Sequence, residues 1–351
     1  MTLHVAVSGW LLGAHSGANR RLLALLAHTG PLLGEGERVT VLHRPEFAPL
    51  PLPRIAWRAV AIPAGPTLRR AFAERRQLAT VLQQLHANVL DHAFLPLPRV
   101  AVPICLTVHD TRGADGLTRW PRWLARGALR TACTRAAAVI TPSQWTAARI
   151  QAIAPAAHPH VVGNGVELPQ GASTPLATLP DNGYLLHAGH LEPRKNLAVV
   201  VRALRQLPAA ARPQLWLAGR DAGSLRSLQQ LAGEAVALRA FGPVPEADLT
   251  RLYAHARAVV MPSRYEGFGL PILEALAHGR PVLASDAGAL PEVLGDVGTL
   301  LPSDDANAWA AAIAATPVAA PARKDHQERA AAFAWPAAAA ALLQIWRTLS
   351  R

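Results

Sequence analysis

The chain has 351 residues, room for two domains each with its own core, and its 51% apolar and 17% charged residues exclude a disordered polymer. Two cysteines, Cys105 and Cys133, exclude a disulfide framework and match no metal-ligand spacing. The net charge of +12 is uneven: residues 1–165 hold 18 Arg against 7 acids, net +11, whereas residues 166–351 hold 17 Arg plus Lys against 16 acids, net +1.

The chain enters a strand almost at once, without a basic n-region, so no signal peptide is expected. No apolar run approaches the ~20 residues of a membrane span. Strands are predicted at Leu3–Val7, Arg38–Leu42, Arg58–Ile62, Asn88–Leu90, Ile104–Val108, Ala138–Ile140 and His160–Val162. Helices are predicted at Ala18–Ala27, Leu68–Leu85, Pro121–Cys133 and Gln144–Ile153. Short apolar runs between amphipathic helices indicate parallel strands with crossover connections. Glu167–Asn182, with Pro169, Gly171, Pro175 and Pro180, is expected to be a linker. The alternation restarts with strands at Tyr184–His187, Gln214–Leu217, Val236–Ala240, Ala258–Met261, Pro281–Ala284 and Thr299–Leu301, and a helix around Ala337–Leu349 follows. The fold class is α/β, and ligands are expected at strand C-termini.

The richest segment is Ser263–Gly279. The strand ending at Met261 runs through a glycine-bearing turn into a helix with Pro271 in its first turn. Such a turn offers free backbone N–H groups and a partial positive charge, which suits a phosphate. Glu266 lies in the turn and Glu274 about one helical turn inside, where a carboxylate can accept hydrogen bonds from sugar hydroxyls. Only two lysines occur in the chain, Lys195 and Lys324. Lys195 follows Arg194 just after a strand, and the two cations could hold a diphosphate and stabilise its charge as it leaves.

A second feature is the basic first half. Arg69, Arg70, Arg75 and Arg76 form one cluster; Arg112, Arg119, Arg122, Arg126, Arg130 and Arg135, interleaved with Trp120 and Trp123, form another. An Arg/Trp amphipathic helix suits an anionic membrane surface, and an arginine-rich solvated face is the plainer reading. No nucleic-acid module accompanies the charge, so no nucleic-acid partner is expected.

These residues stand in an ordered series: Gly189-His-Leu-Glu-Pro-Arg-Lys-Asn196, Trp216-Leu-Ala-Gly219, Phe241 to Leu249, Pro262 to Glu274, Gly279-Arg-Pro-Val282 and Ser285 to Gly295. The series resembles the retaining GT-B glycosyltransferases of family 4, also called group 1, most strongly from Gly183 to Pro302. The resemblance implies two doubly wound Rossmann-like domains facing across a cleft. Residues 1–166 would hold the acceptor, 167–182 would be the linker, 183–330 would bind the nucleotide sugar, and a helix in 331–351 would cross back to the first domain. It implies that Arg194 and Lys195 contact the donor's diphosphate and that Glu266 approaches the donor sugar. Backbone groups of Gly267, Phe268, Gly269 and Leu270 would hold sugar and phosphate, and Glu274 would bind the ribose. In the first half, His109 of Thr107-Val-His-Asp110 resembles the family's histidine that reaches the donor sugar. Gly17, in Ser16-Gly-Ala-Asn19, resembles the glycine of the first loop near the donor phosphate, although the usual double-glycine or Gly-Ile form is missing. Asp91-His92 and Thr141-Pro-Ser143 resemble further cleft elements, with a structural role equally open; Val162–Val166 is expected to be a structural turn.

The implied function is transfer of a hexose, with retention, from a nucleotide-diphosphate sugar to a hydroxyl of a growing glycan or lipid-linked saccharide in surface-polysaccharide synthesis. Mannose from GDP-mannose is favoured and a UDP-sugar, glucosyl or N-acetylhexosaminyl, is the alternative. No cofactor and no metal are expected, because no Asp-x-Asp ends a strand. Transfer could proceed on one face of the sugar or through a glycosyl–Glu266 intermediate. A GT-B epimerase or phosphorylase and a non-catalytic sugar-nucleotide or membrane-binding module are the rival readings. The expected location is cytoplasmic and peripheral, at the inner face of the cytoplasmic membrane.

Overall fold

A computed structural model describes residues 2–13, 16–118, 121–169, 171, 173–319 and 321–351. The chain divides into two compact units, one formed by Met1–Asn164 with Trp335–Arg351 and the other by Gly165–Ala334. Residues 167–182 and 331–334 fall within the second unit.

Unit 1 is a seven-stranded parallel sheet in the order β3-β2-β1-β4-β5-β6-β7. Its strands are β1 (His4–Ser8), β2 (Arg38–His43), β3 (Ile55–Ala59), β4 (Val89–His92), β5 (Ile104–Thr107), β6 (Ala138–Thr141) and β7 (Pro159–Val161). Helices α1 (Gly17–Thr29), α2 (Thr67–Leu85), α3 (Arg122–Arg135) and α4 (Gln144–Ile153) make the crossovers. The third strand lies earlier than the expected Arg58–Ile62. Its register is set by β2, Val39 opposite Ile55 through His43 opposite Ala59, and the apolar Val60 and Ile62 lie beyond the strand, buried in the core. Helix α3 starts only at Arg122, so Arg112 lies on a loop; Arg119 and Trp120 are outside the described residues. Arg70, grouped by sequence with a surface cluster, is buried instead, 3.4 Å from Glu74. Both cysteines are free and buried.

Unit 2 is a six-stranded parallel sheet in the order β10-β9-β8-β11-β12-β13. It contains β8 (Tyr184–Ala188), β9 (Gln214–Ala218), β10 (Leu238–Gly242), β11 (Ala258–Met261), β12 (Val282–Ser285) and β13 (Thr299–Leu301). The intervening helices are α5 (Leu197–Gln206), α6 (Leu225–Ala232), α7 (Glu246–His255), α8 (Leu270–Ala277), α9 (Leu290–Leu294), α10 (Ala306–Ala315) and α11 (Lys324–Ala331). Apolar clusters cover both sheet faces, one around Trp216, Ile272 and Leu276 and one around Leu185, Val200 and Trp309. That explains the continuous apolar runs of the central strands.

Helix α12 (Trp335–Leu349) returns to unit 1 and packs on α1, as the sequence led us to expect. Its last turns are held by polar bonds: Trp346 Nε1 donates to Asp91 Oδ2 at 2.8 Å, and Arg347 donates to both Glu37 carboxylate oxygens, each at 2.8 Å.

Candidate active site

In unit 2 the loop between β11 and α8 carries Ser263, Glu266, Gly267 and Phe268. Gly269 takes φ +111°, which side chains rarely adopt, and a Cβ there would meet Leu290 at 2.8 Å. Leu270 begins the helix with Pro271 second, so the first-turn N–H groups, which have no partner within the helix, belong to residues around this turn. The opposing loop comes from β8. Pro193–Lys195 form a 3-10 turn ended by Asn196 in the left-handed region (φ +53°), a conformation Asn tolerates; α5 begins with Leu197.

The two loops meet on one oxygen. Glu266 Oε1 accepts from Lys195 Nζ at 2.5 Å and from Ser263 Oγ at 2.8 Å, and Arg194 Nη1 lies 3.3 Å away. Arg194 also donates to Tyr265 O at 3.0 Å and to Glu192 at 2.9 Å. Lys195 and Glu266 are both buried. Burial by itself raises the Glu266 pKa; the Lys195 and Arg194 cations, with hydrogen bonds from Lys195 and Ser263, more than offset it and bring it to about 2. The carboxylate is therefore ionised at any working pH, held against two cations.

The sequence assigned no individual role to several supports of this cluster, although Ser285 and Gly288 stand in the motif series. Gly288 (φ +65°) passes so close that a Cβ there would lie 2.4 Å from Glu266 O, and Ala289 N donates to that oxygen at 3.0 Å. Ser285 donates to Ser263 O. His187 is fully buried in β8, bonded through Nδ1 to Val260 O, while Nε2 has no hydrogen-bond partner among the described residues. A Cβ on Gly189 would lie 3.7 Å from that nitrogen and 3.8 Å from Lys195 Nζ. Burial and the nearby Lys195 lower the His187 pKa to about 4, so the ring is neutral.

Glu274 belongs to a second cluster. Its Oε2 accepts from Tyr253 OH of α7 at 2.6 Å, and Tyr253 stacks on His278 at 5.7 Å. Burial lowers the His278 pKa to about 4, with Glu274 opposing and Arg280 adding to the shift. Tyr253 reads in sequence as a core aromatic, so its grip on Glu274 was not foreseen.

Unit 1 holds the other candidates. His109 follows β5, half-buried, with its pKa lowered to about 3 by burial and by Arg21 and Arg112. It lines a cavity of about 80 Å³ with Ser8, Asn19, Arg21, Asp91 and Trp346, and a larger one of about 540 Å³. Gly17 is the exposed first residue of α1, capped by Ser16, whose Oγ accepts from Asn19 N at 3.2 Å. Ser143 likewise caps α4 through Thr146 N at 3.1 Å. Arg21 ties down the turn after β7, donating to Val162 O at 2.6 Å, Gly163 O at 2.7 Å and Asn164.

Residues 182–316 match the family described as glycosyl transferases group 1, and residues 16–170 match Glycosyltransferase Family 4. The chain belongs to the family 4, group 1 glycosyltransferases. O-antigen chain mannosyltransferase B of Escherichia coli is 43% identical over 136 residues, 37% of this chain and 36% of that protein. D-inositol 3-phosphate glycosyltransferase of Mycobacterium marinum is 35% identical over 193 residues, 51% of this chain and 41% of that protein. The matches thus span less than half the length of these relatives. Among solved structures, sucrose-phosphate synthase from Thermosynechococcus elongatus aligns with a TM-score of 0.80 at 22% identity, covering 99% of both chains. Anabaena HepE in complex with UDP and glucose aligns with a TM-score of 0.69 at 18% identity, covering 99% of this chain and 100% of that one. These likenesses show the GT-B fold. Among the described residues no group of three His, Cys, Asp or Glu side chains could hold a metal ion.

Proposed function

We propose that the protein transfers a hexose from a nucleotide-diphosphate sugar to a hydroxyl group, with retention at the anomeric carbon. The observation that carries this reading is the meeting of Lys195 and Arg194 on Glu266 beside the N-terminal turn of α8. A diphosphate drawn to that turn would find two cations and the positive end of the helix, and so stabilisation for the charge that grows on the leaving group. Gly17, at the first turn of α1, and the backbone of Gly267 to Leu270 are proposed as further donor contacts. Glu274 would take the ribose hydroxyls, with Tyr253 holding its other oxygen. His109, a neutral imidazole, would donate or accept a hydrogen bond to the sugar rather than supply charge.

In the proposed step the bond from C1 to the leaving diphosphate oxygen breaks and the acceptor oxygen bonds to C1 on the same face. The acceptor proton passes to the departing diphosphate. The protein's part is positioning and charge stabilisation. A Glu266 carboxylate with a pKa of about 2, one oxygen already shared by Lys195 and Ser263, is a poor nucleophile. That favours the single-face route over a glycosyl-enzyme.

The partial likeness to an E. coli mannosyltransferase supports GDP-mannose as donor, with a UDP-sugar second. The acceptor is proposed to be a growing glycan or lipid-linked saccharide. Peripheral attachment to an anionic membrane, at the inner face of the cytoplasmic membrane, is supported by α3: Trp123 is 73% exposed, and Arg122, Arg126 and Arg130 follow at helical spacing. Among the described residues no helix is long and apolar enough to cross a membrane.

The deciding experiment is a thermal-shift series with GDP-mannose, UDP-glucose and the free nucleotides, followed by nucleotide-release assays with and without acceptor. Stabilisation by a nucleotide sugar with acceptor-dependent release supports transfer. Binding without release under any acceptor points to the non-catalytic module, and release without transfer to the other chemistries.

A further inference from the structure

Strand β8 hides a polar group that the chemistry just described does not use. His187 stands opposite Leu217 of β9 in a strand whose five residues are all buried, and Leu217 and Val260 on the neighbouring strands belong to an apolar cluster. A polar ring in such a place is costly unless both of its nitrogens are met. Nδ1 is met, 3.2 Å from Val260 O. A carbonyl can only accept, so the ring proton sits on Nδ1 and Nε2 carries the lone pair. That nitrogen has no hydrogen-bond partner among the described residues, and His187 is 0% exposed. Burial and the nearby Lys195 charge keep the ring neutral, so the acceptor is not lost to a proton.

A glycine defines the place this lone pair borders. A Cβ on Gly189 would lie 3.7 Å from His187 Nε2 and 3.8 Å from Lys195 Nζ, so the two nitrogens flank one small opening over the Gly189 Cα. The backbone there is fixed, with Gly189 at φ +141° and its N donating to Ala218 O at 2.8 Å. An acceptor and an ammonium on one opening are complementary. An ammonium has three N–H groups on a flexible stem. Glu266 Oε1 takes one from Lys195 at 2.5 Å, and a turn of the stem brings a second to Nε2. His187 is the more deeply buried partner, so it would hold the ammonium from the interior and leave the third N–H facing outward. A cation held in this way stabilises a growing charge without having to reorganise.

We propose that His187 is a positioning residue for Lys195: its Nε2 accepts one ammonium N–H while Glu266 accepts another, and the third is aimed at the donor's diphosphate. The aim at a diphosphate rests on the glycosyl-transfer reading; the contact between imidazole and ammonium does not.

The test uses the fact that Lys195 and Lys324 are the only lysines, so nitrogen-15 lysine labelling of the full chain gives two ammonium NMR signals. Lys324, on the surface, is the reference. In wild type the Lys195 ammonium protons should show a nuclear Overhauser effect to the His187 ring protons beside Nε2. Asn reaches only as far as Nδ1, so His187→Asn can keep the bond to Val260 O and loses the acceptor; Gln reaches as far as Nε2. The Lys195 protons should exchange with water at least about tenfold faster in His187→Asn, the scale of one hydrogen bond to a charged group. His187→Gln should restore slow exchange, and circular dichroism checks that both variants fold. Absence of the wild-type Overhauser effect overturns the proposal without any variant. Unchanged exchange in folded His187→Asn also overturns it, as does equal exchange in the two variants, which would assign the effect to packing. Calorimetric titration with GDP and UDP reads the aim: His187→Asn should raise the Kd of the nucleotide that binds and His187→Gln should not, and an unchanged Kd in His187→Asn overturns that part. If neither nucleotide binds wild type, the donor reading falls together with the aim, and the ammonium measurements alone decide the contact.

Discussion

Trp346 and Asp91, 255 positions apart in sequence, are joined by a 2.8 Å hydrogen bond inside unit 1. The indole N–H comes from α12 and the carboxylate from the end of β4, at the wall of the small cavity. Burial raises the Asp91 pKa to about 6, with the Trp346 bond and the Arg21 charge pulling the other way. The last helix is therefore tied to the wall of that cavity by a polar bond as well as by packing.

Trp346→Phe keeps most of the packing and removes the donor. Leaving a buried acceptor unmet costs about 1–3 kcal/mol. Trp346→Ala adds a cavity and should cost about 3–5 kcal/mol. Urea unfolding read by far-UV circular dichroism checks both values; equal midpoints for Trp346→Phe and wild type would show that the bond contributes nothing.

The Lys195–Glu266 pair makes a paired prediction. Lys195→Ala leaves an ionised carboxylate buried, which costs about 3–5 kcal/mol in stability. If the proposed role in transfer holds, turnover falls at least about a hundredfold. Lys195→Met with Glu266→Gln should recover much of the stability and none of the turnover. Recovery of turnover in the double variant would refute a role for either charge in transfer.

Tyr253→Phe tests how Glu274 is held. Loss of a hydrogen bond to a charged group is worth about 1.5–3 kcal/mol. If Glu274 grips the ribose, nucleotide Kd should rise tenfold or more while turnover at saturating donor changes little. A fall in kcat with unchanged KM would place Tyr253 elsewhere in the mechanism.

The pH dependence of stability should be set partly by Glu74. Burial raises its pKa from 4.5 to about 7, against the opposing charge of Arg70 and the bond from Trp10 Nε1 at 2.9 Å. The folded state then binds a proton more tightly than the unfolded one. Its contribution is full below pH 4.5 and is lost as pH rises to about 7, with a limiting slope of about 1.4 kcal/mol per pH unit. Asp91, with its raised pKa, acts in the same direction at lower pH. Glu266 acts oppositely, stabilising above pH 4.5 and losing its effect as pH falls toward 2. Glu74→Gln should flatten the profile between pH 4.5 and 7; an unchanged slope in chemical denaturation would place the effect on another group.

Transfer is expected to continue in excess EDTA, on the sequence ground that no Asp-x-Asp ends a strand. Activity lost to chelator and restored by Mn²⁺ would reverse that expectation.

The succession of strands and helices along the chain was legible because buried parallel strands write themselves as short apolar runs. The bounds show the limit: β10 runs Leu238–Gly242 rather than Val236–Ala240, and β3 takes its register from pairing with β2, a tertiary fact that local hydropathy does not carry. At the site, Arg194, Lys195, Glu266 and Glu274 announced themselves as charges beside glycine and proline turns. Tyr253 and His187 did not, since each matters through a contact distant in sequence while looking locally like ordinary core; Ser285 and Gly288 stood in the motif series, but their contacts to Ser263 and Glu266 were not readable there. Arg70 was misjudged for the same reason: its partner, Glu74, lies on the same buried helix face, and a count of arginines cannot tell a solvated guanidinium from a paired one.

The return of α12 has a temporal consequence. Unit 2 is one uninterrupted stretch from Gly165 to Ala334, whereas unit 1 needs Trp335–Arg351 to finish. On the ribosome, the sheet made first must wait, with the α1 surface that α12 covers still bare, while 170 further residues are synthesised. Unit 2 can reach its native state before unit 1 does, reversing the usual order in which N-terminal domains mature first.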